Sequence, residues 1–198
     1  MADIPPVGAP FSGNLGIYSA LTAIKPNSGE APVFVLWNTL CATYFPPGEG
    51  LKTAVGRPAL RDDTEPDLAV ITIWSARRNL NVSEDLHENQ VLFIECKRPS
   101  RDTPVEWASA SEQLAHYCRS NANVSRRFLA ATAIGTKVKF WRYDAPSSQL
   151  ESDVPALSSI SGVLDLSEGH GQTEAIQVLA YVRNEGVNWT ESGKGGIH

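Results

Sequence analysis

An α/β fold, with helices packed on a small central mixed sheet, follows from three features of the sequence. Two short apolar runs rich in β-branched and aromatic residues, at 68–74 and 91–97, read as strands. Helix-period apolar spacing recurs at Val33, Leu36, Trp37, Leu40, Cys41 and Tyr44, and again at Trp107, Ala110, Leu114, Tyr117 and Cys118. The order helix, strand, strand, helix, strand, strand, helix places helices around a sheet.

Residues 1–27 are rich in Pro, Gly and Ser and read as an N-terminal arm with one short helix at 15–24. The first long helix follows: Ser28 can cap it, Pro32 suits its first turn, and Pro46-Pro47-Gly48 stops it. Residues 49–66 hold a short strand and a polar turn, Arg61-Asp62-Asp63-Thr64. Residues 75–90 are polar and read as a long connection between the two principal strands. A helix at 105–120 comes next, then strands at 128–134 and 138–143 joined as a hairpin by Gly135-Thr136-Lys137. Residues 144–161 read as a Pro/Ser-rich linker. A last helix covers 173–183, with Gly186 just beyond it and a polar tail after that. The core domain is thus 28–145, with 146–198 as linker, helix and tail packed on it.

In 198 residues there is room for one domain with a sizeable core. No apolar run approaches the roughly 18 residues that span a bilayer, so no membrane partner is expected. The first residues lack the basic and apolar regions of a signal peptide, which points to an intracellular protein, cytoplasmic or nuclear. Without a secretory signal, the acceptor patterns at Asn81, Asn123 and Asn188 read as chance. Cys41, Cys96 and Cys118 are odd in number and widely spaced, and each sits among apolar neighbours, as small buried thiols do. His87, His116, His170 and His198 have no second ligand at metal spacing. A net charge of −5 argues against a dedicated DNA coat but not against a local basic groove. Basic residues do cluster: Arg77-Arg78, Lys97-Arg98 with Arg101, and Arg126-Arg127 with Lys137 and Lys139.

The tripeptide Glu95-Cys96-Lys97 closes the second apolar run. Strand alternation projects Glu95 and Lys97 together and turns Cys96 the other way. Ionisable groups at the end of a buried strand are costly unless they pair or hold a metal. Asp67, after Glu65-Pro66, stands at the mouth of the other strand. Two carboxylates at adjacent strand ends, with the backbone carbonyl of Cys96, are hard oxygen donors suited to Mg²⁺ or Mn²⁺. Lys97 is then placed to orient or deprotonate an attacking water and to offset charge on a phosphate.

Pro66-Asp67 followed by Glu95-Cys96-Lys97 resembles the PD-(D/E)XK nuclease superfamily, with its restriction-endonuclease-like αββαβ core. Gln113 and Tyr117, within Gln113-Leu114-Ala115-His116-Tyr117, are similar to the Gln-x-x-x-Tyr element of the RecB-like branch, and their i, i+4 spacing puts both on one helical face. The resemblance implies a nuclease that hydrolyses phosphodiester bonds of DNA, or of RNA, through metal-activated water. Asp67 and Glu95 would be metal ligands, Lys97 the water-orienting group, and Gln113 and Tyr117 supporting contacts. Many members carry another Glu on the first helix, where only Glu30 can match. Members often act as homodimers. The alternative is a nuclease-like fold, weak or inactive in catalysis, that binds nucleic acid or protein.

Overall fold

The computed structural model describes residues 11–56, 69–78, 86–121, 126–145 and 157–192. Among them lie α1 (Leu15–Thr22), α2 (Ala31–Tyr44), β1 (Leu51–Gly56), β2 (Ala69–Arg78), β3 (Leu86–Lys97), α3 (Pro104–Asn121), β4 (Arg127–Ile134), β5 (Lys137–Asp144), β6 (Leu157–Ser159), β7 (Leu164–Asp165) and α4 (Gly169–Ser192). The seven strands form one open sheet in the order β1-β2-β3-β4-β5-β6, with β7 also paired to β5. β3 and β4 run parallel, and the other pairs are antiparallel, so the sheet is mixed. A parallel pair needs a crossover, and α3 makes it. No helix of the described residues is long and apolar enough to cross a membrane.

The crossover divides the structure into three layers. On one face α1, α2 and α4 cover Leu92, Ile94 and Cys96 of β3, forming the larger core around Trp37, Leu40, Ile176 and Leu179. Trp37 is fully buried and meets Phe140 edge-on at 6.1 Å. On the other face α3 packs Leu114 and Cys118 against Phe93, Phe128 and Tyr143. β3 is therefore covered on both sides, which is why its inner half is a continuous apolar run rather than an alternation. All three cysteines are buried and unbridged.

One irregularity matters for the site. Ile73 pairs with Leu92, but its neighbour Trp74 pairs with Gln90, so Val91 is an extra residue in the ladder. Such a bulge reverses the facing of everything before it. Gln90 thereby shares the α3 face with Phe93 instead of joining Leu92 on the opposite side. Val91 turns toward α4, where Gly186 lets the helix approach: a Cβ there would stand 2.9 Å from Val91 Cγ1.

Several boundaries differ from those read in the sequence. The polar stretch 75–90 is strand at both ends, since β2 runs to Arg78 and β3 starts at Leu86. Backbone pairing and the Lys52–Glu88 ion pair hold that outer half together without apolar cover. α4 extends from Gly169 to Ser192, so Gly186 lies inside it. β6 falls within the stretch read as linker. Ser28 does not cap α2; its hydroxyl accepts from Lys25 N at 2.9 Å, and Glu30 occupies the cap position without its side chain capping the helix. Residues 11–24 contribute Phe11, Ile17, Leu21 and Ile24 to the larger core, so this part of the arm is packed.

Candidate functional site

Glu95 and Lys97 leave β3 on the α3 side, and Cys96 turns into the larger core. Glu95 is 1% exposed. The Lys97 ammonium stands 3.1 Å from Glu95 Oε1 and donates to Gln113 Oε1 at 2.8 Å. A buried charge pair gains only where hydrogen bonds satisfy its remaining groups, and the Gln113 amide oxygen does this for the ammonium. Glu95, Lys97 and Gln113 are thus brought together.

Tyr117 shares the helical face of Gln113, one turn on. Its ring stacks on Phe93 with centroids 3.8 Å apart and planes 21° from parallel. Its hydroxyl is hydrogen-bonded to Gln90 and Thr72. Burial pushes the phenol pKa up, and those two bonds pull it only partly back. Tyr117 therefore fastens α3 to β2 and β3, and in doing so sets where Gln113 reaches the strand end.

Cross-strand register extends the site over β4 and β5. Glu95 pairs with Thr132, and Thr132 with Lys139; Lys97 pairs with Ile134, and Ile134 with Lys137. Thr132 is fully buried beside Glu95, and its hydroxyl has no hydrogen-bond partner among the described residues. Lys97, Lys137 and Lys139 share one face at one end of the sheet. Lys137 is paired with Asp102 at 2.6 Å, and Lys139 lies over the Trp141 ring at 4.2 Å. Arg98 is exposed just after the strand, and Arg101 is paired with Glu106. Arg126 and Arg127, grouped with these lysines by sequence, sit at the opposite end of β4, where Arg127 pairs with Asp144. Trp107 is only partly buried because its indole N–H donates to Asp102 at 2.9 Å, so it is not the core residue its spacing suggests.

The Cys96 thiol is held well above its ordinary pKa, first by burial and then by the charges of Cys41, Glu30 and Glu95. The Cys96 side chain is buried in the larger core, on the opposite face of β3 from Glu95 and Lys97. Glu30, at the start of α2, is close enough for its charge to be felt there. Asp67 lies outside the described residues. Among the described residues no group of three or more His, Cys, Asp and Glu is placed to hold a metal.

Thr72, Gln90 and Thr132 carry no sequence signal of their own. Gln90 and Thr72 become visible only through the bulge and the pairing of Thr72 with Phe93. No family model, curated protein or solved structure matches this chain.

Proposed function

We propose that this chain is a metal-dependent nuclease of the PD-(D/E)XK kind with a restriction-endonuclease-like core, acting on DNA in preference to RNA. The observation that carries the reading is the meeting of Glu95, Lys97 and Gln113 at the carboxyl end of the central strand. The element order supports it: α2, an antiparallel β1–β3, α3, then β4 parallel to β3. That is the helix–strands–helix–strand succession the resemblance implies, with β1 as one strand more.

The chemistry of the donors fits Mg²⁺ or Mn²⁺. Glu95 offers a buried carboxylate, and the thiols of Cys96 and Cys118, which feel its charge, are both buried and held above their ordinary pKa, chiefly by burial. Glu95, the Cys96 carbonyl and Asp67 would hold the ion, which would supply an activated water and neutralise phosphate charge. Asp67 precedes Ala69 by two residues, and Ala69 pairs with Cys96; two extended residues span at most about 7 Å. Lys97, fixed by Glu95 and Gln113, orients the attacking water and offsets charge growing on the phosphoryl oxygens. Gln113 keeps the ammonium in place, and Tyr117 keeps α3 in place. Lys137 and Lys139 extend the cationic row that a phosphate backbone would follow.

The test is Mg²⁺- or Mn²⁺-dependent cleavage of single-stranded, double-stranded and branched DNA, and of RNA. Lys97→Ala should lower the single-turnover rate by about a hundredfold, as removal of one charge-stabilising group does. Equal activity in Lys97→Ala and the parent overturns the mechanism. The net charge of −5 favours a second reading, a nuclease-like fold that binds nucleic acid or protein without cutting. Calorimetry separates them: no Mn²⁺ binding, with unchanged stability in Asp67→Asn, supports the binding module.

A further inference from the structure

At the carboxyl ends of β3 and β4 lies a cleft of about 490 Å³. Three connections wall it: residues 24–26 after α1, 99–102 after β3, and 134–137 at the β4–β5 turn. Ligands of open α/β sheets bind at this end of the strands, where the connections diverge. The volume lies in the roughly 300–1,000 Å³ range of small-ligand sites, enough for one nucleotide.

The walls are built for a ligand with an anionic part and a flat apolar part. Lys25, Lys137, Ser100 and Thr136 supply a polar side, and Pro26 and Pro99 a smooth one. Lys137 is pre-positioned, because Asp102 grips its ammonium and is itself held by the Trp107 indole. The floor is rigid as well. Gly135 has φ of +60°, and a Cβ there would come within 3.1 Å of Pro99, so the turn rests directly on that ring. Gly135 N donates to the Lys97 carbonyl at 3.1 Å, which joins the cleft to the strand that carries Lys97. Lys97 and Lys137 flank Ile134 in one cross-strand row, two strand spacings or roughly 10 Å apart.

We propose that this cleft holds one unpaired nucleotide of the strand to be cut, its phosphate between Lys25 and Lys137 and its sugar and base against Pro26 and Pro99. Its place beside a cutting site rests on the nuclease reading; its preference for an unpaired nucleotide does not. A base-paired nucleotide brings its partner with it, and a cleft of this size has room for one.

Binding measured in EDTA isolates the cleft from any cleavage. The probes are a fluorescein-labelled oligothymidylate and a labelled blunt hairpin duplex, read by anisotropy, with thymidine monophosphate and inorganic phosphate as competitors. The oligothymidylate should bind more tightly than the duplex, and thymidine monophosphate should compete better than phosphate. Lys25 and Ser100 are exposed, so substitutions there leave the fold intact. Lys25→Glu should weaken oligothymidylate binding about tenfold at low salt, and Ser100→Tyr should block competition by the monophosphate. Parent-like binding in both variants, equal affinity for the duplex, or phosphate competing as well as the monophosphate overturns the proposal. Cleavage is scored separately in the parent and Lys97→Ala. If the cleft behaves as stated while the parent never cuts, the cleft stands and the nuclease reading falls. If the parent cuts and Lys25→Glu binds like the parent, the reverse holds.

Discussion

Gln113 and Lys97 meet at 2.8 Å, amide oxygen to ammonium, across the junction of α3 with the end of β3. With Glu95 at 3.1 Å on the other side, the cation is gripped by a charge and by a neutral dipole that come from different elements. The carboxylate offsets the cost of burial, and the amide fixes direction.

Gln113→Ala removes the directing contact and leaves the ion pair. Stability should change by about 1 kcal/mol, the net worth of one hydrogen bond. Single-turnover cleavage should fall about tenfold with strand affinity unchanged, since orientation rather than binding is lost. A parent-like rate would show that Glu95 alone positions the ammonium.

Tyr117→Phe keeps the stack on Phe93 and strips the bonds to Gln90 and Thr72. Leaving buried polar groups without this partner should cost about 1–3 kcal/mol in urea unfolding. Cleavage by the folded protein should stay near the parent's, as expected of a clamp. In a double-mutant cycle, Thr72→Val should cost less in the Tyr117→Phe background than alone.

Asp165 gives a pH-dependent term. Burial alone would raise its carboxyl pKa, but the Ser167 hydroxyl and N–H, the Thr136 hydroxyl and the Lys137 charge outweigh burial and hold it below its ordinary 3.8. Its bonds therefore stabilise the fold fully above pH 3.8, and that stabilisation is lost as pH falls through the lower folded value. Asp165→Asn should cost about 1 kcal/mol at neutral pH, allowing for solvent screening. In urea titrations at stepped pH, the gap between variant and parent should close on the acid side. A gap that persists below that window would assign the loss to shape rather than charge.

Gly171 and Gly186 both lie in α4 and should respond differently to alanine. At Gly171 a Cβ would sit 2.1 Å from the Asp165 carbonyl oxygen, a backbone atom that cannot swing aside. Gly171→Ala should destabilise by about 2 kcal/mol through overpacking. At Gly186 the obstacle is the Val91 side chain, and the gain in helix propensity of about 1 kcal/mol offsets part of the clash. Urea midpoints of the two variants should rank in that order.

The inner halves of β2 and β3 were legible because burial makes them apolar runs. The shared faces of Glu95 with Lys97 and of Gln113 with Tyr117 follow from spacings of two and four, whereas the meeting of Gln113 with Lys97 depends on how α3 packs. Their outer halves were not. Residues 87–90 are polar, and it is pairing with β2 rather than an apolar pattern that makes them strand. Trp107 misled because its spacing matches a core position, whereas Asp102, five residues earlier, takes its indole. Gln90 was hidden for a different reason: simple alternation assigns it to the face of Leu92, and only the extra residue in the ladder corrects that.

That extra residue also decides which changes of length β3 can survive. Deleting Val91 straightens the ladder and leaves Gln90 beneath Tyr117, because Leu92 and Gln90 then alternate as direct neighbours; what is lost is the packing of Val91 on α4 at Gly186. Deleting two adjacent residues from the outer half keeps both facings and merely shortens the arm. Descendants of this chain should therefore lose a single residue from β3 only at position 91 and otherwise vary its outer end in steps of two.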